Sequence, residues 1–159
     1  MKTILLILIG LSVVSQAERF TRDATTMVVT DAQTNLQWQD EEYTQAEQDA
    51  YNNNTESGKV LDWTSAITYC EDLTFGGKDD WRLPNFNELY YIADRTSSPA
   101  LLDPALSSVF VNVISSAYWS STTHASDTNS AWVVVFSNGG DNNVNKTYSV
   151  FVRCVRAGQ

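Results

Sequence analysis

Residues 80–89 read Asp-Trp-Arg-Leu-Pro-Asn-Phe-Asn-Glu-Leu, and this decapeptide decides how the rest of the chain is read. Pro84 disfavours helix at the residue before it, so Asp80 to Leu83 is extended or turned. Asn85 and Glu88 stand at the N-cap and N3 spacing of a capping box, with Asn in place of Ser or Thr. A helix therefore starts at Asn85, and Phe86, Leu89, Tyr90 and Ala93 recur on one apolar face. Arg82 lies between Trp81 and Leu83-Pro84, within reach of Asp80 and Glu88 as carboxylate partners. An Arg in such a corner reads first as a structural residue.

Upstream, residues 62–75 read as another helix. Asp62 is its N-cap, and Trp63, Ala66, Ile67, Cys70 and Leu73 share one apolar face. Gly76-Gly77 stops it. Residues 27–38 read as a β-hairpin, with Met27 to Thr30 and Leu36 to Trp38 flanking a polar turn. Residues 39–61, polar and acidic, read as a surface loop or insertion.

Downstream, Ser97-Ser98-Pro99 and Asp103-Pro104 mark loops. Ala117 to Ser121 is a short strand, and Ala131 to Phe136 is apolar on both faces, as a central strand is. Residues 138–142 are a turn. Tyr148 to Val155 is the final strand, with Val150, Val152 and Cys154 on one face. Hairpin, two helices, then strands gives an α+β domain, two helices packed on antiparallel strands.

Residues 1–17 have the form of a secretory signal peptide: Lys2, an apolar run from Ile4 to Val14, and small residues at Ser15 and Ala17. The run is too short to span a bilayer, so no transmembrane anchor is expected. Residues 18–159 are then one exported domain, secreted, periplasmic or at the cell surface. Export gives the two cysteines their meaning, because an even number outside the cytosol favours a disulfide. Cys70–Cys154 would close a loop of about 85 residues and tie a helix to the last strand. The alternative is two buried free thiols.

The chain carries 10 Lys+Arg against 19 Asp+Glu, a formal charge of −9 over 159 residues, which becomes −10 when Lys2 leaves with the leader. That balance excludes a nucleic-acid partner, which needs a basic patch.

Five blocks together resemble the Lcl (Legionella collagen-like) C-terminal domain family, formerly a domain of unknown function. They are residues 31–38, Trp63 and Ala66 leading to Cys70, Asp80 to Pro84 with Glu88 and Leu89, Tyr118-Trp119 to Thr122, and Val152 to Arg156. The resemblance runs from about residue 27 to 156. It implies a C-type-lectin-like fold, in which a Cys on the first helix bridges to one on the last strand. It also implies exported, non-catalytic ligand binding. The family's named member is a surface adhesin that binds sulfated glycosaminoglycans and assembles as a trimer. This chain departs from it in lacking a collagen-like stalk and in being acidic, which opposes a sulfated polymer. The expectation is a non-enzymatic recognition module for a glycan or other extracellular ligand. The second reading is a structural subunit of a cell-envelope assembly that self-associates as a homo-oligomer.

Within the blocks, Asp80, Trp81, Arg82, Leu83, Pro84, Glu88, Tyr118, Trp119, Arg153 and Arg156 read as structural. Trp119 is expected in the core. Ser120, Ser121, His124 and Asp127 offer the groups of a hydrolase but are crowded into one segment without a nucleophile elbow, so no catalytic residue is assigned. Asp141, Asn142, Asn143 and Asn145, like Asp40, Glu41 and Glu42, could offer oxygens to calcium, but without EF-hand spacing they read as a solvated turn and a solvated acidic loop. No metal or cofactor is expected. A ligand groove is expected among the loops at 39–61, 95–116 and 122–130.

Overall fold

Three short strands open the fold: β1 (Phe20–Asp23), β2 (Val28–Asp31) and β3 (Leu36–Gln39). They form an antiparallel meander in a computed structural model that describes residues 19–93 and 109–158. The signal-peptide segment and the loop markers at 97–99 and 103–104 lie outside the described residues. The hairpin of β2 and β3 is the one read from the sequence, whereas β1 was not anticipated.

Residues 39–61 are not a loop. They hold α1 (Gln45–Asn53) and β4 (Val60–Leu61). Helix α1 starts at a reciprocal capping box, in which the Thr44 side chain accepts from Glu47 N and the Glu47 side chain accepts from Thr44 N. Its apolar signal is weak because Ala50 and the stem of Glu47 are its buried residues. It ends at Asn54, in the left-handed conformation that Asn tolerates.

Helix α2 (Trp63–Glu71) is capped by Asp62, whose side chain accepts from Ser65 N at 2.7 Å. It stops at Asp72, before Gly76-Gly77, which instead turn the chain with φ of +59° and +72°. Helix α3 (Phe86–Ile92) begins at Asn85 with the capping box expected from the sequence. The architecture is thus α+β with three helices among the described residues, not two.

The last third supplies β5 (Ala117–Thr123), β6 (Ser130–Val135), β7 (Gly140–Asn145), β8 (Val150–Phe151) and β9 (Val155–Ala157). Residues 140–142, read as part of a turn, belong to β7, a polar strand at the edge of its sheet. An edge strand needs an apolar residue on only one face, which is why its pattern looked like a loop. The segment 148–155 is two strands in two sheets. β9 completes the meander in the order β1-β2-β3-β9, and β8 joins the order β4-β8-β5-β6-β7. The pairing of β5 with β8 is parallel, so the sheets are not wholly antiparallel.

Between β8 and β9 the chain alternates between two cores. Phe151 and Val155 face one that contains Trp38, Leu89, Tyr118 and Phe136. Val150, Val152 and Cys154 face the other, with Ala66, Cys70, Trp81, Leu83 and Trp119. Cys70 and Cys154 are joined in a disulfide, Cα atoms 5.6 Å apart and 84 residues apart in sequence. The bridge ties α2 to the segment just before β9.

Candidate functional site

The corner at 80–84 is built into the fold on every side. Arg82 exchanges two backbone hydrogen bonds of 2.9 Å with Val155, and Ser121 N donates to Pro84 O at 2.7 Å. Trp81 and Leu83 are buried, and the Trp81 indole donates to the carbonyls of Phe75 and Lys78. The Arg82 guanidinium grips Glu88 with two hydrogen bonds, of 2.8 and 2.6 Å. Glu88 also accepts from Asn85 N, so one carboxylate caps α3 and holds the corner. Burial alone would raise the Glu88 pKa, but Arg82 and the Asn85 amide outweigh it and lower it. The pair is not buried: the Arg82 side chain is 44% exposed.

The other two motif arginines are closed to solvent. Arg156 lies against Asp80, donating to Oδ2 at 3.0 Å, and also meets the Gln37 amide oxygen. Its hydrogen bonds lower the pKa of the exposed Asp80 carboxyl. Arg153 donates to Gln39 O and to Asp40 Oδ1, each at 3.0 Å, and to Asn112 O. Its guanidinium sits 5.0 Å from the Phe110 ring centroid and 5.8 Å from that of Tyr118. Asp40, read from the sequence as a solvated acidic residue, is fully buried. It also accepts from Arg22 Nε at 2.7 Å and from the amides of Val111 and Asn112 at 3.2 Å.

A second buried carboxylate went unnoticed in the sequence. Glu47 accepts from the backbone amides of Lys59 and Thr44, each at 2.6 Å, and pairs with Lys59 Nζ at 3.1 Å. Gly58 makes room for it, since a Cβ there would stand 2.4 Å from Glu47 Oε1. Only the capping-box spacing from Thr44 to Glu47 could have revealed this residue.

Tyr118 and Trp119 are fully buried. The Tyr118 hydroxyl accepts from Ile114 N at 2.8 Å, and the Trp119 indole donates to Leu61 O at 3.0 Å. The hydroxyl-rich segment after them forms no triad. Ser120 Oγ donates to Trp132 O, His124 Nδ1 lies 3.4 Å from Ser126 Oγ, and Asp127 accepts from Ser130 Oγ. Among the described residues no three of His, Cys, Asp and Glu are grouped to hold a metal ion, and no helix is long and apolar enough to cross a membrane.

What remains for a ligand is surface. A groove of about 560 Å³ runs along the outside of α2, between Leu61, Thr64, Ser65, Thr68, Tyr69 and Asp72. A smaller recess of about 240 Å³ lies between the β2–β3 turn and α3, beside Tyr91. Neither of these is built from residues 95–116 or 122–130, but a third recess, of about 220 Å³, lies between Tyr51 and Asn52 of α1 and Ile114 to Ser116, where two of the expected segments meet, and residues 95–108 lie outside the described part.

These features define an α+β domain whose motif residues are internal fittings: a corner, a disulfide and buried cations, each matched by a carboxylate. The chain belongs to the Lcl C-terminal domain family, whose model matches residues 27–156. The comparison with curated proteins finds no match.

Proposed function

We infer that the chain is an exported, non-catalytic recognition domain of C-type-lectin-like fold, binding a glycan or other extracellular ligand at the cell surface or in the periplasm. The observation that carries this reading is the fate of the motif arginines. Arg153 and Arg156 are buried against Asp40 and Asp80, and Arg82 is held by Glu88. Residues spent on the scaffold leave recognition to surface that the scaffold holds rigid. The disulfide supports export, because such bridges persist in oxidising compartments. The signal-peptide form of residues 1–17 supports it independently.

The same arrangement makes the ligand unlike a sulfated polymer. No motif arginine is free to meet sulfate, and the whole chain is acidic. A glycan array spanning neutral and sulfated chains, run alongside size-exclusion chromatography with light scattering, tests the reading. Discrete glycan binding supports it. A stable oligomer with a silent array overturns it in favour of a self-associating envelope subunit.

A further inference from the structure

Indole N–H groups inside a protein normally find an acceptor. Those of Trp63, Trp81 and Trp119 donate to the carbonyls of Ser120, Phe75 and Leu61 at 2.9, 3.1 and 3.0 Å. Trp38 is fully buried, yet its Nε1 has no acceptor among the described residues. Arg153 Nε is also unpartnered, but the rest of its guanidinium is held by Gln39, Asp40 and Asn112. Nε1 is the one polar atom of the Trp38 side chain, and Trp38 borders the recess of about 240 Å³ between the β2–β3 turn and α3. Room for an acceptor therefore lies beside a buried donor that lacks one.

Strand register builds the inner end of this recess. Asp31 pairs with Leu36 and Val29 with Trp38, and directly opposed residues point to the same side of a sheet. Helix α3 covers that side, with Leu89 and Ile92 in one core with Val29 and Trp38. Trp38, Asp31 and Ile92 are buried at the inner end, whereas Asn85, Asn87 and Tyr91 are exposed at the rim. Asn87 and Tyr91 stand four residues apart on α3, so they share one side of the helix. The two carboxylates of the recess are already engaged. Asp31 accepts two bonds from Arg19, at 3.0 and 2.8 Å, and one each from Gln33 N and the Thr34 hydroxyl. Glu88 is taken by Arg82 and Asn85 N. What is left over is donors. They are the Trp38 indole, the Asn85 amide, whose oxygen caps α3, and the Asn87 amide, which has no hydrogen bond among the described residues.

We propose that this recess binds the N-acetyl group of a neutral N-acetylhexosamine, whose carbonyl oxygen accepts from Trp38 Nε1. Unmet donors call for an acceptor. Two carboxylates in the wall and a formal charge of −9 turn away sulfated and uronic sugars. The guanidinium partners of those carboxylates leave no free negative charge to draw a cation. A neutral amide carbonyl meets both conditions. The acetyl methyl fits the apolar wall of Leu36 and Ile92, and the Asn87 amide at the rim can both donate to and accept from sugar hydroxyls. A recess of about 240 Å³ suits one sugar residue rather than a chain. This inference rests on the recognition reading above and gives it a site and a sugar class.

The test uses the full chain without residues 1–17 and an array that pairs each N-acetylhexosamine glycan with its unacetylated glucose or galactose counterpart. The strongest hit is titrated into isotope-labelled protein, and the indole N–H signals of its five tryptophans are followed by nuclear magnetic resonance. Trp38→Phe, which keeps a ring in the core, assigns the Trp38 signal by its absence. That signal should move downfield while those of Trp63, Trp81 and Trp119 hold still. Trp38→Phe should weaken binding by about tenfold, and so should loss of the acetyl group from the sugar. Asn87→Ala, on the surface, should weaken it by about threefold and carries the test if Trp38→Phe does not fold. Thr68→Ala, in the groove along α2, should change nothing. Equal binding of the acetylated and unacetylated sugars overturns the acetamide assignment. A hit that leaves the Trp38 signal in place, or that binds Trp38→Phe and Asn87→Ala as tightly as the parent, overturns this site while leaving glycan recognition standing. A silent array overturns both, and an N-acetylated peptide that then moves the Trp38 signal would give the recess to a protein partner instead.

Discussion

Arg153 and Asp40 meet at 3.0 Å with neither side chain open to solvent. Asp40 sits at the end of β3, Arg153 just before β9, and Arg22 of β1 reaches the other carboxylate oxygen. The same carboxylate accepts two amides from residues 111 and 112. One side chain therefore gathers both edges of the four-stranded sheet and the segment that leads into β5. A buried ion pair adds little over an apolar replacement, but breaking it leaves a charge stranded.

Asp40→Ala should accordingly destabilise the domain by about 3–5 kcal/mol, because Arg153 and Arg22 both lose their carboxylate. Denaturant unfolding monitored by tryptophan fluorescence measures it. A loss below about 1 kcal/mol would show that Asp40 does not hold the sheet edges together.

The bridge between Cys70 and Cys154 has the opposite logic, since it acts chiefly by constraining the unfolded chain. Cys154→Ser should lower stability by about 2–5 kcal/mol. Peptide mapping without reductant should recover the two cysteines in one cross-linked fragment. Two free thiols in folded material would contradict the bridge.

Elements with strong local signals were legible in the sequence. Asp62 and Asn85 cap α2 and α3 as read, and the β2–β3 hairpin falls where its turn residues placed it. The cysteine pair was legible because only two cysteines exist and each lay on an inward face. What escaped depends on tertiary context. Helix α1 buries little apolar surface, so its periodicity is faint and Thr44–Glu47 is its main mark. β7 is a polar edge strand. The burial of Asp40 could not be foreseen, because its partners Arg22, Arg153 and Asn112 lie 18, 113 and 72 residues away.

The three motif arginines should differ in mutational cost. Arg82 is partly open to solvent, which screens its pair with Glu88, so Arg82→Ala should cost about 1 kcal/mol or less. Arg156→Ala should lower the melting midpoint at least twice as far, because its buried stem and guanidinium leave a hole beside Gln37. Thermal melts of the two variants side by side decide it. Equal losses would mean that the Arg82 corner bears more of the fold than its exposure implies.

Heparin retention should be weak at physiological salt. Screening confines attraction to about 8 Å, so only a local cluster of free cations could hold the polymer. Arg82, Arg153 and Arg156 are all paired with carboxylates. Elution from a heparin column above roughly 0.3 M salt would reveal a cationic patch elsewhere.

Stability should fall at both ends of the pH scale, for different residues. For Asp31 and Glu47, burial alone would raise the carboxyl pKa. Arg19 and local donors outweigh it at Asp31, and the amides of Lys59 and Thr44 with the Lys59 ammonium do so at Glu47. Both are therefore lowered in the folded state, so their contribution is present above the unfolded pKa of about 4 and is lost as pH falls through the folded value. Glu47→Gln should lower the midpoint at pH 7 and flatten the acid decline, the two curves converging at low pH. On the alkaline side, burial holds the Tyr43 and Tyr118 hydroxyls above their ordinary range and pushes Tyr69 up to about 12. Above pH ~10 the unfolded chain loses those protons while the folded chain keeps them, so stability declines as pH rises. An ultraviolet titration should show the Tyr43 and Tyr118 hydroxyls ionising only as the fold is lost, in one cooperative step with the loss of near-ultraviolet circular dichroism. All seven tyrosines titrating smoothly near pH 10 in folded protein would contradict that burial.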